Sequence, residues 1–317
     1  LGYFFLGLFG LLLALASAGA IYQRIQYSRD RRMNPPPGQL VDVGGYRMHL
    51  DCIGEGSPTV VLDSGLSDSS LSWYKVQPEV ARFTRVCSYD RAGVGWSEPS
   101  PYPRNSGVFA EELHTLLHDA RINGPFILVG HSMGGYDVRI FASRFPSEVA
   151  GLVLVDSTHP DYARVLPELR TSSEKWRRDL RRQEFLMPFG VPRLMGWCGD
   201  GPSEIQAQVR TIECNVPRLR EAIAESASMW DESAARVRET GPFGVLPLIV
   251  ISEDPKHVTV ALAPFEEGQQ SLASLSSNSV RITAIGSGHQ IQRERPDIVI
   301  LAIKQLVEQN RHSLHNS

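Results

Sequence analysis

Cysteine is scarce, with only Cys52, Cys87, Cys198 and Cys214 in a chain of 317 residues. None forms a C-x-x-C pair, which excludes the usual zinc-ribbon spacing, and four scattered thiols make no disulfide scaffold, so the fold must rest on a core of its own. Excess positive charge is missing too. With 32 Lys and Arg against 35 Asp and Glu the net charge is −3; nothing is left over to neutralise a phosphate backbone, and nucleic acid is not expected as a partner. Residues 1–23 have no charged side chain. Their run LGYFFLGLFGLLLALASAGAI is long enough to cross a hydrocarbon core of ~30 Å, and reads as a single-pass membrane anchor. Ala16-Ser17-Ala18 offers a small-residue cleavage site, so a secreted protein released from a signal peptide is the alternative.

Arg24, Arg29, Arg31 and Arg32 follow, opposed only by Asp30, and then Pro35-Pro36-Pro37. Residues 24–39 read as a basic, stiff spacer. The positive-inside rule applied to these arginines places the following domain in the cytoplasm, yet the chain opens without Met, and sidedness stays open at this stage. Beyond the spacer, seven short apolar runs alternate with helical spacing: YRMHLDC, PTVVLD, TRVCSYD, GPFILVG, AGLVLVD, LPLIVIS and SVRITAI. The central ones are continuously apolar, as strands covered by helices on both faces must be. The expectation is an α/β, doubly wound, mostly parallel sheet. Its core occupies residues 40–156 and 246–312. Residues 157–245 interrupt the alternation with helical spacing and read as an inserted helical lid. The lid's KWRRDLRR cluster reads as a solvated face or as a surface for anionic headgroups.

The chemistry concentrates in FILVGHSMGGYDVRIFASRF, a strand running straight into a helix through Gly130-His131-Ser132-Met133-Gly134. So sharp a turn leaves no room for side chains two residues either side of the serine, hence Gly130 and Gly134. It lifts the Ser132 hydroxyl clear of the sheet, beside the free N–H groups of the next helix. Together with VVLDSGLSDSS, YDRAGVGWSEPS and GSGHQIQRERPDIV in that order, this motif resembles the serine-hydrolase members of the α/β-hydrolase superfamily, esterase- or lipase-like, over roughly Val41 to Gln309. Where many members have His-Gly after the third strand, Ser64-Gly65 stands here, and the acid segment is not the usual Gly-Asp-x-Asp. A serine elbow also departs from epoxide hydrolases and haloalkane dehalogenases, whose members carry aspartate there.

A serine hydroxyl needs a base. Of nine histidines, His289 falls on a loop after the last strand, in Gly286-Ser287-Gly288-His289. His131 resembles a common filler of the elbow, and His114 and His118, spaced i, i+4, lack a third metal ligand. The histidine in turn needs a carboxylate. Asp254, after LPLIVIS, is the first choice by the resemblance; Asp156, after AGLVLVD, is the alternative acid, and Glu253 a third. The resemblance implies oxyanion donors at the Met133 and Leu66 amides, and a structural loop at Asp90, Arg91 and Gly93. It also sets the strands of Cys52 and Cys87 side by side, where the two thiols read as small buried hydrophobes; Cys198 and Cys214 would pair if the domain is extracytoplasmic.

The expected activity is hydrolysis of a carboxylic ester or related acyl bond in a small-molecule substrate, through an acyl-enzyme on Ser132, with no metal or cofactor required. The alternatives are a small-substrate peptidase or acyltransferase, for which Glu213, Glu221 and Glu225 would recognise an amine, and a binding protein that kept the fold without turnover.

Overall fold

The apolar runs become strands of one sheet in the computed structural model of the chain, which describes residues 2–315. They are β1 (Gln39–Asp42), β2 (Arg47–Ile53), β3 (Thr59–Asp63), β4 (Val86–Tyr89), β5 (Phe126–His131), β6 (Val149–Val155), β7 (Leu248–Glu253) and β8 (Ser279–Ala284). Their spatial order is β1-β2-β4-β3-β5-β6-β7-β8. β2 pairs antiparallel with β1 and β4, and the remaining pairings are parallel. The sequence pattern does not separate β1, because four residues are too few to show an alternation.

Strands β3, β5 and β7 are buried at every position. On one face, Val61, Leu128, Leu152 and Val250 pack under α2 (Ser106–Asp119), α3 (Gly134–Arg144) and α7 (Leu262–Ala273). On the other, Val60, Ile127, Val153 and Ile249 meet Val299, Ile303 and Val307 of α8 (Pro296–His315). Burial on both faces is why these strands read as unbroken apolar runs. The parallel strands all end at one edge, where Asp63, His131, Asp156 and Glu253 emerge.

From Tyr162 to Arg238 the chain is largely helical. The longer helices there are α4 (Glu168–Leu186), α5 (Gln206–Glu213) and α6 (Val216–Ser228), and Leu180, Met187, Leu219, Ala222 and Ile223 form a small core between them. This cap covers the edge at which the strands end.

Two features depart from expectation. The N-terminal helix α1 (Gly2–Met33) does not stop at residue 23 but runs on through the arginines, so the extended connection starts only at Asn34. Its second half is held by the cap. Gln23 Nε2 donates to the Cys214 carbonyl at 2.9 Å, Asn34 Nδ2 to Thr211 Oγ1 at 3.1 Å, and the Arg193 guanidinium pairs with Asp30. Gly19 makes the approach possible, since a Cβ there would overlap the Phe189 carbonyl. The cysteines are the second departure: Cys52 and Cys87 are not isolated hydrophobes but a disulfide, as are Cys198 and Cys214. Cys52 and Cys87 are direct partners in the antiparallel register of β2 and β4, which turns both thiols to the same side.

Under non-reducing denaturation the protein should therefore take up no maleimide, and after reduction four equivalents, counted by intact mass. Loss of the Cys198–Cys214 closure should cost the cap about 3 kcal/mol, read as a lower urea midpoint in Cys198→Ser/Cys214→Ser.

Candidate active site

The elbow follows from steric exclusion. A Cβ on Gly130 would lie 2.5 Å from the Gly134 carbonyl oxygen, and one on Gly134 2.7 Å from that of Ser64. Ser132 therefore sits in the left-handed region at φ 52°, a conformation held here by its amide donating to the Val155 carbonyl at 3.1 Å. Its Oγ is 3.1 Å from His289 Nε2. The other ring nitrogen, Nδ1, donates to Asp156 Oδ2 at 2.6 Å.

The structure does not bring Asp254 to His289. The Asp254 carboxylate accepts the amides of Lys256 at 3.0 Å and Gly286 at 2.9 Å, which hold its pKa below the usual carboxylate value and fasten the loop that carries the histidine. The carboxylate that meets the ring is Asp156, the alternative acid. It stands at φ 40°, one of few non-glycine positions with positive φ, and its Oδ1 accepts the Glu253 amide at 2.9 Å, which aims Oδ2 at the imidazole. Glu253 itself lines the cavity beside them, and burial together with the Asp156 charge pushes its carboxyl up to about 7. Burial opposes a charge on His289, yet the Asp156 hydrogen bond and the surrounding carboxylates of Asp156, Glu253 and Asp68 outweigh it and raise the pKa above the ordinary histidine value.

Met133 is fully buried at the first turn of α3, and Leu66 lies in the turn after β3. Among the described residues neither amide donates to a protein acceptor. Gly65 lets that turn close on the elbow, since a Cβ there would stand 3.3 Å from the Ser132 Cβ and 2.9 Å from His131 Nδ1. His131 takes a role that its motif did not suggest. Fully desolvated and held well below the ordinary histidine pKa, it donates from Nε2 to the His289 carbonyl at 2.9 Å and so positions the histidine loop. His114 is satisfied by Glu148 at 3.1 Å and stacks on Phe145; no cluster of three metal-ligating side chains occurs among the described residues.

Arg91 is the centre of a buried network. It donates to Asp63 at 2.9 Å, to Glu225 at 2.8 Å and to the carbonyls of Ser64 and Gly65 at 2.7 and 2.5 Å. Glu225 also accepts the Ser67 amide at 2.6 Å. Glu221, one turn away on α6, pairs with Arg104, which also holds Glu112. These two glutamates are thus neither helix surface nor amine-recognising groups, and Glu213 is turned to Gly199 and Arg218. Asp90 accepts the amides of Ser70 and Trp96 and braces the loop, as the resemblance implies.

Over Ser132 opens a cavity of about 650 Å³ walled by Leu66, Tyr162, Leu166, Trp230, Val260 and Phe265, with Glu253, Glu294 and His257 on its polar side. A family model described as the alpha/beta hydrolase fold matches residues 58–229, more than half of the chain. The chain belongs to the α/β-hydrolase fold family. This hydrolase-fold chain is 31% identical over 194 residues to an uncharacterised protein of Schizosaccharomyces pombe, a match that covers 50% of this chain and 35% of that protein. It thus spans about a third of that relative's length. An esterase from Thermogutta terrifontis superposes with TM-score 0.64 at 22% identity, over 86% of this chain and 99% of the esterase. The epoxide hydrolase CorEH superposes with TM-score 0.65 at 18% identity, over 84% and 97%. At these identities the likeness is one of fold.

Removing the Arg91 cation leaves Asp63, Glu225 and Asp137, 3.7 Å from the guanidinium, without a counter-charge. Arg91→Met should therefore destabilise the domain by roughly 3–5 kcal/mol, read as a fall in the urea midpoint.

Proposed function

We propose that the protein is a membrane-anchored serine hydrolase that cleaves a carboxylic ester through an acyl-enzyme on Ser132. The observation that carries this reading is the continuous chain from Ser132 Oγ to His289 at 3.1 Å and from His289 to Asp156 at 2.6 Å. It opens into an apolar cavity beside two undonated amides.

In the first step Ser132 Oγ bonds to the acyl carbon while its proton passes to His289 Nε2, and Asp156 stabilises the imidazolium through Nδ1–H. The carbonyl electrons move onto oxygen, where the Met133 and Leu66 amides donate, each worth about 3–4 kcal/mol of barrier. Collapse breaks the bond to the alkoxy group, which leaves with the proton from His289. Water then adds to the acyl carbon, His289 takes its proton, and the acid departs as Ser132 regains its hydrogen. An aspartate nucleophile, on which the epoxide-hydrolase chemistry of the superfamily depends, is absent from the elbow.

The apolar stretch of α1 supports an anchor, and the two disulfides favour an oxidising compartment for the domain. That location weighs against the cytoplasmic side suggested by the arginines.

Hydrolysis of p-nitrophenyl esters and labelling by a fluorophosphonate should both vanish in Ser132→Ala. Asp156→Asn should lower kcat by about 10³–10⁴-fold, whereas Asp254→Asn should keep most of the activity; the reverse result would move the acid to Asp254. A folded wild type that neither turns over nor labels would overturn the hydrolase reading and favour a binding protein.

The pH profile gives a separate check. His289 must be neutral to accept the proton, and the anions around it raise its pKa. The acid limb of kcat/KM should therefore have its midpoint above 6.5, and Glu253→Gln, by removing one of those anions, should shift it to lower pH.

A further inference from the structure

Four large apolar side chains of the cap are exposed close together in sequence: Phe185 (73% exposed), Leu194 (65%), Met195 (61%) and Trp197 (48%). Exposed clusters of this kind mark contact surfaces. Phe185 closes a stripe on α4 whose other members, Arg178, Arg181 and Arg182, are spaced three, four and seven residues along one exposed face. Arg181, Arg182, Phe185, Leu186 and Trp197 line a groove of about 690 Å³ that lies apart from Ser132.

The position of this face relative to α1 identifies what covers it. Residues 2–18 of α1 rise about 25 Å at 1.5 Å per residue, most of a hydrocarbon core of ~30 Å, and contact with the cap begins at the next residue, Gly19 against Phe189. Tyr22 then packs on Gly190, four residues before Leu194. The Trp197 loop is tied to the same place by Cys198–Cys214, whose Cys214 carbonyl accepts the Gln23 side chain. A helix crossing a bilayer thus carries the aromatic and cationic face to the level where its own apolar stretch ends. Tryptophan suits that depth, with its amphipathic ring at the headgroups, and each nearby arginine adds attraction to anionic lipid.

We infer that the cap face formed by Phe185, Leu194, Met195 and Trp197, with Arg178, Arg181 and Arg182, is a second membrane contact, seated among the anionic headgroups of the bilayer that α1 crosses. This rests on the anchor reading of α1 and not on the hydrolase reading, because no turnover enters its test.

The full chain is reconstituted in vesicles of phosphatidylcholine, alone or mixed with phosphatidylglycerol, containing lipids brominated at shallow or deep acyl positions. Trp197 emission is taken as the difference between the wild type and Trp197→Phe. The expected result is loss of that emission with shallow bromines and less with deep ones. The loss should grow with phosphatidylglycerol, and that growth should disappear in Arg178→Glu/Arg181→Glu/Arg182→Glu. Flotation with the vesicles but no quenching of Trp197 would overturn the second contact and leave the anchor standing. Quenching indifferent to phosphatidylglycerol and to the arginines would overturn the recognition of anionic headgroups. Failure to float would overturn the anchor and the contact together, and ester hydrolysis by the same preparation would stand apart from all three.

Discussion

The geometry at the mouth of the site depends on one buried cation. Arg91 comes from the end of β4, and its guanidinium reaches the end of β3 at Asp63, the carbonyls of Ser64 and Gly65, and Glu225 on the cap. Because Glu225 also takes the Ser67 amide, the turn is gripped on both sides of Leu66. A backbone donor helps a developing oxyanion only if it already points there when charge appears, and a planar guanidinium with several fixed donors supplies that rigidity better than a lysine would. Burying the ion pair is costly in itself. What it provides here is position: sheet, turn and cap meet at a single side chain.

How much of this was legible in the sequence depends on the range of the interaction involved. The elbow is local, since Gly130 and Gly134 are required by clashes within five residues of chain, and the sequence shows both. His289 is nearly as legible, because its loop follows the last strand and is rich in glycine. The acid is not. Asp156 and Asp254 each end an apolar strand, and what separates them is the φ of 40° at Asp156 together with the Glu253 amide on its inner oxygen. Neither is written in the spacing of residues. Glu221 and Glu225 mislead for a similar reason: at i, i+4 on a charged helix they look solvated, but their partners Arg104 and Arg91 lie 117 and 134 residues away.

The N-terminal helix and the cysteines follow the same logic. Composition marks where α1 ceases to be apolar, and that is a boundary of hydropathy, not of hydrogen bonding. Residues 24–33 are mostly good helix formers, with Arg31 bonded to Tyr27 one turn back and Asp30 matched by Arg193, so the helix continues to the first residue before the prolines. For Cys52 and Cys87 adjacency of strands was foreseeable, whereas the register that makes them direct partners was not. A shift of one residue would have sent the thiols to opposite faces.

These contacts also bear on how substrate reaches Ser132. The cap is joined to the core through Arg91–Glu225 and Arg104–Glu221, both desolvated, and through Arg238–Asp161 near its surface. Swinging it away as a lid would separate two buried ion pairs and expose four charges to a half-apolar crevice, at several kcal/mol for each pair. It would also pull Glu225 from Ser67 and so loosen the turn that holds Leu66. A cap that opened in this way would dismantle part of the oxyanion site at each turnover. Smaller motions at the polar side of the cavity, where Gly288, His257 and Glu294 line the wall, admit substrate without that cost. The ion pairs thus make the cap a fixed wall of the acyl pocket, and the residues that shape selectivity are the apolar ones it contributes over the nucleophile, Leu166, Leu169, Met229 and Trp230.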